Sequence, residues 1–211
     1  VNQARHNSPL PDLWQGAKYI MKLQDNNKIW FTSDLHGHHK NIIRYSSRPF
    51  TNVEEMNQAL IQNHNDLVKD DDIVFNLGDF VFGPVKLWEE YRNQLNGRHY
   101  LIKGNHDKLQ DNQIKYLFDG IYDYLKISVK DETAEGGWQK IILSHYAFRV
   151  WDGSHHGSIM LYGHSHGSLP DDPNSRSFDV GVDCHNYKPI SYAQVKNIIS
   201  QKNFVPVDHH R

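Results

Sequence analysis

Cysteine is nearly absent from this chain: Cys184 stands alone. An internal disulfide and thiolate zinc sites are thereby excluded, and the count suits a reducing compartment. Long apolar runs are absent as well. Hydrophobic residues make up 38% of the 211, mean hydropathy is −0.71, and no stretch approaches the about 20 residues a helix needs to cross a bilayer. The opening VNQARHNSPLPDLW contains no apolar stretch of the signal-peptide kind, so a cytoplasmic protein with no membrane partner is the expectation. An excess of positive charge is also missing: 23 Lys and Arg stand against 25 Asp and Glu, a formal charge of −2. Bulk nucleic-acid binding through a basic footprint is therefore not expected. That tally omits bound metal, and two divalent ions would add about four positive charges at one place.

What the chain has in excess is histidine, fifteen in all. Imidazole is the commonest metal ligand and the usual acid or base near neutral pH. His6, His209 and His210, close to the ends, read as surface decoration. The stretch LYGHSHG, 161–167, is different: it sets His164 and His166 on alternate positions straight after an apolar run. On a strand, alternate positions face the same way, so both rings can point at one spot past the strand end.

The length fits one domain with a sizeable core. Residues 1–16, with Pro9 and Pro11, read as an irregular arm, Trp14 docking on the body, and 17–211 as the domain. AKYIMKL and KIWFTS read as strands, joined as a hairpin around Asp25-Asn26-Asn27. Residues 53–69 carry Val53, Met56, Leu60, Leu67 and Val68 at helical spacing. DIVFNL and RHYLI are short buried-type strands; between them 84–95 is helical, with Pro84 at its first position and Gly97 beyond its end. IYDYLKISV, WQKIILS, SIMLYG and SFDVGVD are further strands, and SYAQVKNIISQ is a last helix capped by Ser191. Helices concentrate in the first half and at the C-terminal end, strands in the second half, which describes an α/β domain with helices packed outside its sheets.

Strand ends carry the chemistry. KIWFTS is followed by Asp34-Leu35-His36, DIVFNL by Gly78-Asp79, RHYLI by Lys103-Gly104-Asn105-His106-Asp107, KIILS by His145, and SIMLY by Gly163-His164-Ser165-His166. Ligands of α/β sheets bind at the carboxyl ends of strands. Taken singly, Asp34 suits a helix N-cap, Asp79 and Asn105 suit turns, and His145 suits a satisfied core histidine. Rival metal motifs are absent: no H-E-x-x-H helix occurs, and His166 is followed by Gly167, Ser168 and Leu169, not by the H-x-H-x-D-H pattern.

In order, DLH, GD, GNHD, SHY and GHSH resemble the calcineurin-like metallophosphoesterase family, whose blocks run D-x-H, G-D, G-N-H-[DE], H and G-H-x-H. The resemblance spans about 28–183, and FTSDLHGHHKNIIRYSSRPF looks like a small, mainly bacterial and phage-type branch. It implies two packed mixed β-sheets flanked by helices, a four-layer α/β/β/α sandwich. It also implies two divalent ions. Asp34, His36 and His166 would hold the first, Asn105, His145 and His164 the second, and Asp79 would bridge them. A hydroxide shared by the ions would attack phosphorus, with His106 protonating the leaving oxygen and Asp107 fixing the tautomer of His106. Mixed nitrogen and oxygen ligation suits Mn, Fe, Co, Ni or Zn, with manganese the first choice for assay.

The resemblance thus points to a phosphoesterase acting on a small phosphodiester or nucleotide-type substrate. The alternatives are a non-catalytic interaction module on the same fold, and a nuclease working on nucleic-acid ends, which the balance of charge disfavours. Candidate substrate contacts are His38 and Arg44, after the first ligand pair, and Arg149 and Trp151, between two ligand blocks. His39, Lys40, Asn41, His155 and His156 are weaker candidates, and Arg48 reads as a loop holder. Many relatives carry a charged residue shortly after G-D; here Phe80-Val81-Phe82 follows.

Overall fold

The computed structural model describes residues 20–207. The proposed arm and the terminal histidines lie outside that range. The first half of the chain runs β1 (Met21–Leu23), β2 (Ile29–Thr32), α1 (Ile42–Tyr45), α2 (Val53–Asn65), β3 (Ile73–Asn76), α3 (Val85–Arg92), β4 (Arg98–Ile102), α4 (Asp111–Ile114) and β5 (Gly120–Tyr122). The second half runs β6 (Tyr124–Lys130), β7 (Trp138–Ser144), β8 (Ile159–Tyr162), β9 (Ser177–Asp179), β10 (Ile190–Ser191) and α5 (Tyr192–Ser200).

The strands form two mixed five-stranded sheets, ordered β1-β6-β7-β8-β9 and β10-β2-β3-β4-β5. In the second sheet β2, β3, β4 and β5 are parallel and β10 is antiparallel to β2. In the first, β6 and β7 are antiparallel, and β7, β8 and β9 are parallel. Parallel neighbours need a crossover, and here helices supply it on the outer face of the second sheet. There α2 buries Met56 and Leu60, and α3 buries Trp88 and Tyr91, in one cluster with Leu101 of β4. Spacings of three and four place each pair on one helix face. Between the sheets, Phe31, Phe75, Leu77 and Ile102 pack with Ile127, Ile141, Leu143 and Leu161. Fully burying each such side chain stabilises by about 1.5–3 kcal/mol. Helix α5 adds Tyr192, Val195 and Ile199 to this core, and Ser191 caps it by accepting from the Gln194 N–H.

Several local expectations change. No hairpin joins the first two strands: β1 pairs in parallel with β6 in one sheet, and β2 pairs with β3 and β10 in the other. Asp25 accepts from the Asn27 N–H and starts a short 3-10 turn that carries the chain between the sheets. IYDYLKISV is likewise two strands in two sheets, broken at Asp123. Pro84 has extended ψ of 162° and is the cap of α3, not its first residue. The two-sheet α/β architecture stands, with its helical layer on the second sheet. Over the outer face of the first sheet, Ile142, Met160 and Tyr162 are covered by Trp151, from the 145–158 connection.

The parallel runs send the carboxyl ends of β2, β3 and β4 to one edge, and those of β7 and β8 end parallel to each other. Backbone bonds continue past the strands. Asp34 and His36 N–H donate to Gly78 and Asp79 carbonyls at 2.9 and 2.8 Å, Gly163 N–H to His145 at 3.0 Å, and Val182 N–H to Ser33 at 3.1 Å. The last two bonds knit the ends of the first sheet together and to those of the second.

Candidate metal centre

The segments that carry the ligand-type residues turn through strained backbone. Asp34, His36, Asp79, His164 and His166 have φ of 58°, 50°, 53°, 69° and 47°. Residues with side chains seldom adopt this left-handed region, and where they do the cost is of order 1–3 kcal/mol each. Aspartate and histidine enter this region more readily than other side-chain-bearing residues, but five such positions in the ligand-bearing loops still need the surrounding fold to hold them. The loops also interleave closely. A Cβ on Gly104 would collide with the Asp79 carboxylate, and one on Gly163 with the Ser33 hydroxyl and Asp34 carboxylate. Glycine is the residue that permits such approach.

Two groups of donor atoms converge, each within 4.8 Å: Asp34, His36 and His166, and Asp34, Asp79 and His145. Asp79 Oδ2 lies 3.4 Å from His36 Nε2 and 3.6 Å from His145 Nε2, so one carboxylate oxygen faces both sides. His145 Nε2 is also 3.0 Å from Asn105 Oδ1. The His164 imidazole is exposed and outside both groups, 5.1 Å from the His145 ring between centroids. Its backbone N–H donates to Asp34 Oδ1 and Oδ2 at 3.1 and 2.9 Å.

These side chains fit a cation on their own chemistry. Nδ1–H of His145 donates to the Leu77 carbonyl at 2.7 Å, which turns the Nε2 lone pair toward Asn105 and Asp79. Nδ1–H of His166 donates to Asp183 at 2.7 Å, and its Nε2 faces Asp34 Oδ1 at 4.0 Å. His36 Nε2 is buried with no hydrogen-bond partner, 3.4 Å from Asp79. Lone pairs and carboxylates therefore face one another, an arrangement that positive charge satisfies. Burial pushes the Asp34 carboxyl up to about 8; nearby His166 opposes this, and Asp179 and Asp79 reinforce it. Burial, with His166 and Arg48 close by, holds His36 far below the usual imidazole range. Burial likewise lowers His145, against the pull of Asp79.

Supporting residues lie one step outward. Arg48, expected only to hold a loop, forms a fork on Asp183 with two 2.8 Å bonds and donates to the carbonyls of Asp34 and Leu35 at 2.6 and 3.0 Å. Asp183 in turn orients His166. Burial disfavours the charged His166 ring, yet the Asp183 bond and the Asp34 charge leave it raised overall. In the sequence Asp183 is marked only as the second aspartate of the SFDVGVD run. His39, weighed for phosphate contact, is instead buried with Nδ1 3.2 Å from Nδ1 of His36.

The role expected for Asp107 does not hold. Its Oδ2 accepts from the N–H groups of Asp79 and Gly104, each at 2.8 Å, and its Oδ1 from Phe80 at 2.9 Å. Both oxygens clamp the loops after β3 and β4 together, and none bonds the His106 ring. Burial pushes this carboxyl up to about 7, against the pull of those N–H groups. His106 itself is half-buried beside the centre: its ring is 5.3 Å from that of His36, and its N–H donates to Asp79 Oδ1 at 2.8 Å.

The substrate candidates separate. Arg44 is exposed, over the Tyr45 ring at 5.2 Å. His38 N–H donates to Asn57 Oδ1 at 3.1 Å, and its ring lies 5.9 Å from that of buried Tyr91. Trp151 donates its indole N–H to the Ser158 hydroxyl at 3.0 Å and serves the apolar cluster. It also lines, with exposed Arg149, a groove of about 740 Å³ against Phe204–Val207.

No family model matches the chain. The uncharacterized protein MJ1445 of Methanocaldococcus jannaschii is 35% identical over 185 residues, covering 84% of this chain and 94% of its own length. The chain belongs to the MJ1445 family. The Gene 66 protein of Mycobacterium phage L5 is 28% identical over 184 residues, with 74% and 87% of the two chains covered. Among solved structures, the protein of unknown function AQ665 from Aquifex aeolicus aligns with TM-score 0.61 and 25% identity, over 81% of this chain and 98% of its own. The Pseudomonas putida nuclease MPE aligns at TM-score 0.39 and 19% identity, over 66% and 62%, too slight a likeness to bear on activity. Among the described residues, no helix is long and apolar enough to cross a membrane.

Proposed function

We propose that this member of the MJ1445 family is a metal-dependent phosphoesterase of the calcineurin-like metallophosphoesterase superfamily, acting on a small phosphodiester or nucleotide-type substrate. The observation that carries the reading is Asp79 Oδ2, which lies 3.4 Å from His36 Nε2 and 3.6 Å from His145 Nε2, one histidine of each donor group. Asp34, His36 and His166 would hold one divalent ion, Asn105, His145 and His164 the other, and Asp79 would be shared. Manganese, iron, cobalt, nickel and zinc suit these donors. When bound, the ions would supply the charge that acidifies a water and offsets the charge building on phosphate oxygens.

The protein's own part is geometric and acid–base. Asp107 locks two loops, which fixes the His106 backbone against Asp79. His106, beside His36 and Asp79, would protonate the departing ester oxygen, so that water enters at phosphorus as an alcohol leaves. The Arg48–Asp183–His166 chain and the Leu77 carbonyl hold the inner imidazole nitrogens toward the centre. Hydrolysis requires no protein nucleophile, and no serine or cysteine among the described residues is placed as one.

The test is a screen of phosphodiesters, phosphomonoesters and cyclic nucleotides with each ion, on the native chain and Asp79→Asn. Metal content is measured in parallel by elemental analysis. The expected result is diester cleavage that Asp79→Asn abolishes along with its metal. A native chain that takes up no ion, or an Asp79→Asn variant that keeps both ion and activity, would end the proposal.

A further inference from the structure

The exposed aromatic side chains near the ligands have no folding explanation. In Phe80-Val81-Phe82 the first two are buried at 0% and 2%, while Phe82 alone turns out, 48% exposed. It is not loose: its N–H donates to the Gly37 carbonyl at 2.8 Å. One ring face stacks on His39, with centroids 4.5 Å apart and planes at 16°. His39 is in turn bonded to His36, and the His106 ring is 6.4 Å from that of Phe82 between centroids, at 61°. The exposed portion of Phe82 is thus the opposite ring face, beside the first ligand group. The second group has its own ring. Tyr146 is 46% exposed and packs 4.8 Å from the His164 ring and 5.1 Å from that of His145.

We propose that Phe82 and Tyr146 are stacking platforms for nucleobases, one beside each ligand group, so that the site takes a nucleotide-type phosphodiester with a base on each ester arm. The inference rests on the phosphoesterase reading and specifies its substrate. Phe82, with one face on His39, leaves the other for a planar partner, and Tyr146, held at 65° and 74° to the His164 and His145 rings, offers an exposed aromatic ring; π-stacking on either is tolerant of which base it meets. It also accounts for apolar residues following Asp79 where a charged residue would otherwise grip phosphate. A monoester has one organic arm and leaves one platform without a partner. Tyr45, 64% exposed and 6.4 Å from His39, extends the Phe82 side.

The test compares thymidine 5′-(p-nitrophenyl) phosphate with the 5′-(p-nitrophenyl) phosphate of 1,2-dideoxyribose, which share sugar and leaving group and differ only in the base. The native protein is expected to prefer the thymidine ester by about tenfold in kcat/KM, the size of one base–aromatic stack. Of Phe82→Leu and Tyr146→Leu, assayed separately, the one that removes the platform under thymine should move that ratio toward one, chiefly through KM, and the other, which removes the platform under the shared nitrophenyl arm, should raise KM for both esters alike. Phe82→Trp should keep the native behaviour, and no change in either leucine variant overturns the inference. Binding of thymidine 5′-monophosphate against inorganic phosphate, followed by NMR on ion-loaded and chelator-treated protein, gives a readout without turnover. Equal cleavage of the two esters by the native protein overturns the stacking inference and leaves the phosphoesterase standing. Cleavage of neither ester overturns the phosphoesterase. Stacking is then judged on binding alone, and equal affinity of native protein and Phe82→Leu for the nucleotide overturns it too.

Discussion

Two pairs of buried histidines occupy this fold, and they do different things. His64 and His99 sit on the helical side of the second sheet, rings 5.2 Å apart, and both bring Nε2 within 2.9 Å of the Asn96 carbonyl. Arg92 is the charge that acts on both, and it disfavours a second positive charge. His36 and His145 are as deeply buried, but each aims a nitrogen at Asp79. The residue type is shared and so is the desolvation. The difference lies in the inner nitrogen: on a neutral carbonyl it is satisfied by its own proton, whereas beside carboxylates it calls for a cation. An imidazole becomes a ligand candidate through what faces it, not through burial.

The sharpest way to break this comparison is to replace one member of each pair. His36→Gln should lower metal affinity by more than the about 10–100-fold typical of an outer residue, with the metal-free fold retained. His99→Gln should leave metal titrations unchanged and cost roughly 1–3 kcal/mol in urea unfolding. Metal loss in His99→Gln, or full retention in His36→Gln, would erase the distinction. Next, His106→Ala should keep its metal while kcat falls on the order of 100-fold or more, most for poor leaving groups. If calorimetric titration instead finds no bound ion in His106→Ala, that residue is a ligand and not the acid.

A smaller effect is expected at Asp183. Asp183→Asn keeps shape but loses the charge that orients His166 and pairs with Arg48, so metal affinity should fall about 10–100-fold. Unaltered affinity would mean that Asp183 only braces the loop. The mildest test is pH. Burial lowers His64 from 6.5 to about 4, so between those values the unfolded chain binds the proton that the folded chain refuses. Stability is present above about 6.5 and lost as pH falls toward about 4, by up to roughly 3 kcal/mol for this group. His64→Gln should flatten that part of the urea midpoint profile; an unchanged slope would show that His64 does not titrate there.

Local pattern was readable where the chain settles its own conformation. The range of β4 matched RHYLI, and Ser191 caps α5 through Gln194, because hydrogen bonds within a few residues decide a helix start. Pairing was not readable. Residues 17–33 and 121–129 each contain two apolar runs, close enough to suggest one hairpin and one strand. Each run instead found its partner in a different sheet, since core packing, not proximity along the chain, selects the neighbour. Asp107 shows the same limit at the site. Its place after His106 suggests a partnership, but the N–H groups of Asp79 and Phe80, which follow the neighbouring strand β3, take its oxygens.

The amino-acid sequence by itself determined which donors exist and that they follow strands: carboxylates, an amide and imidazoles at turns, with a single cysteine to exclude other chemistry. Only the tertiary structure decided which way each imidazole points, that Arg48 reaches Asp183 across 135 residues, and that Asp34, His36, Asp79, His164 and His166 are held at left-handed φ. The physical reason is distance. Spacing along a chain encodes periodicity and capping, whereas orientation of a buried donor depends on atoms that arrive only when the two sheets close over their shared core.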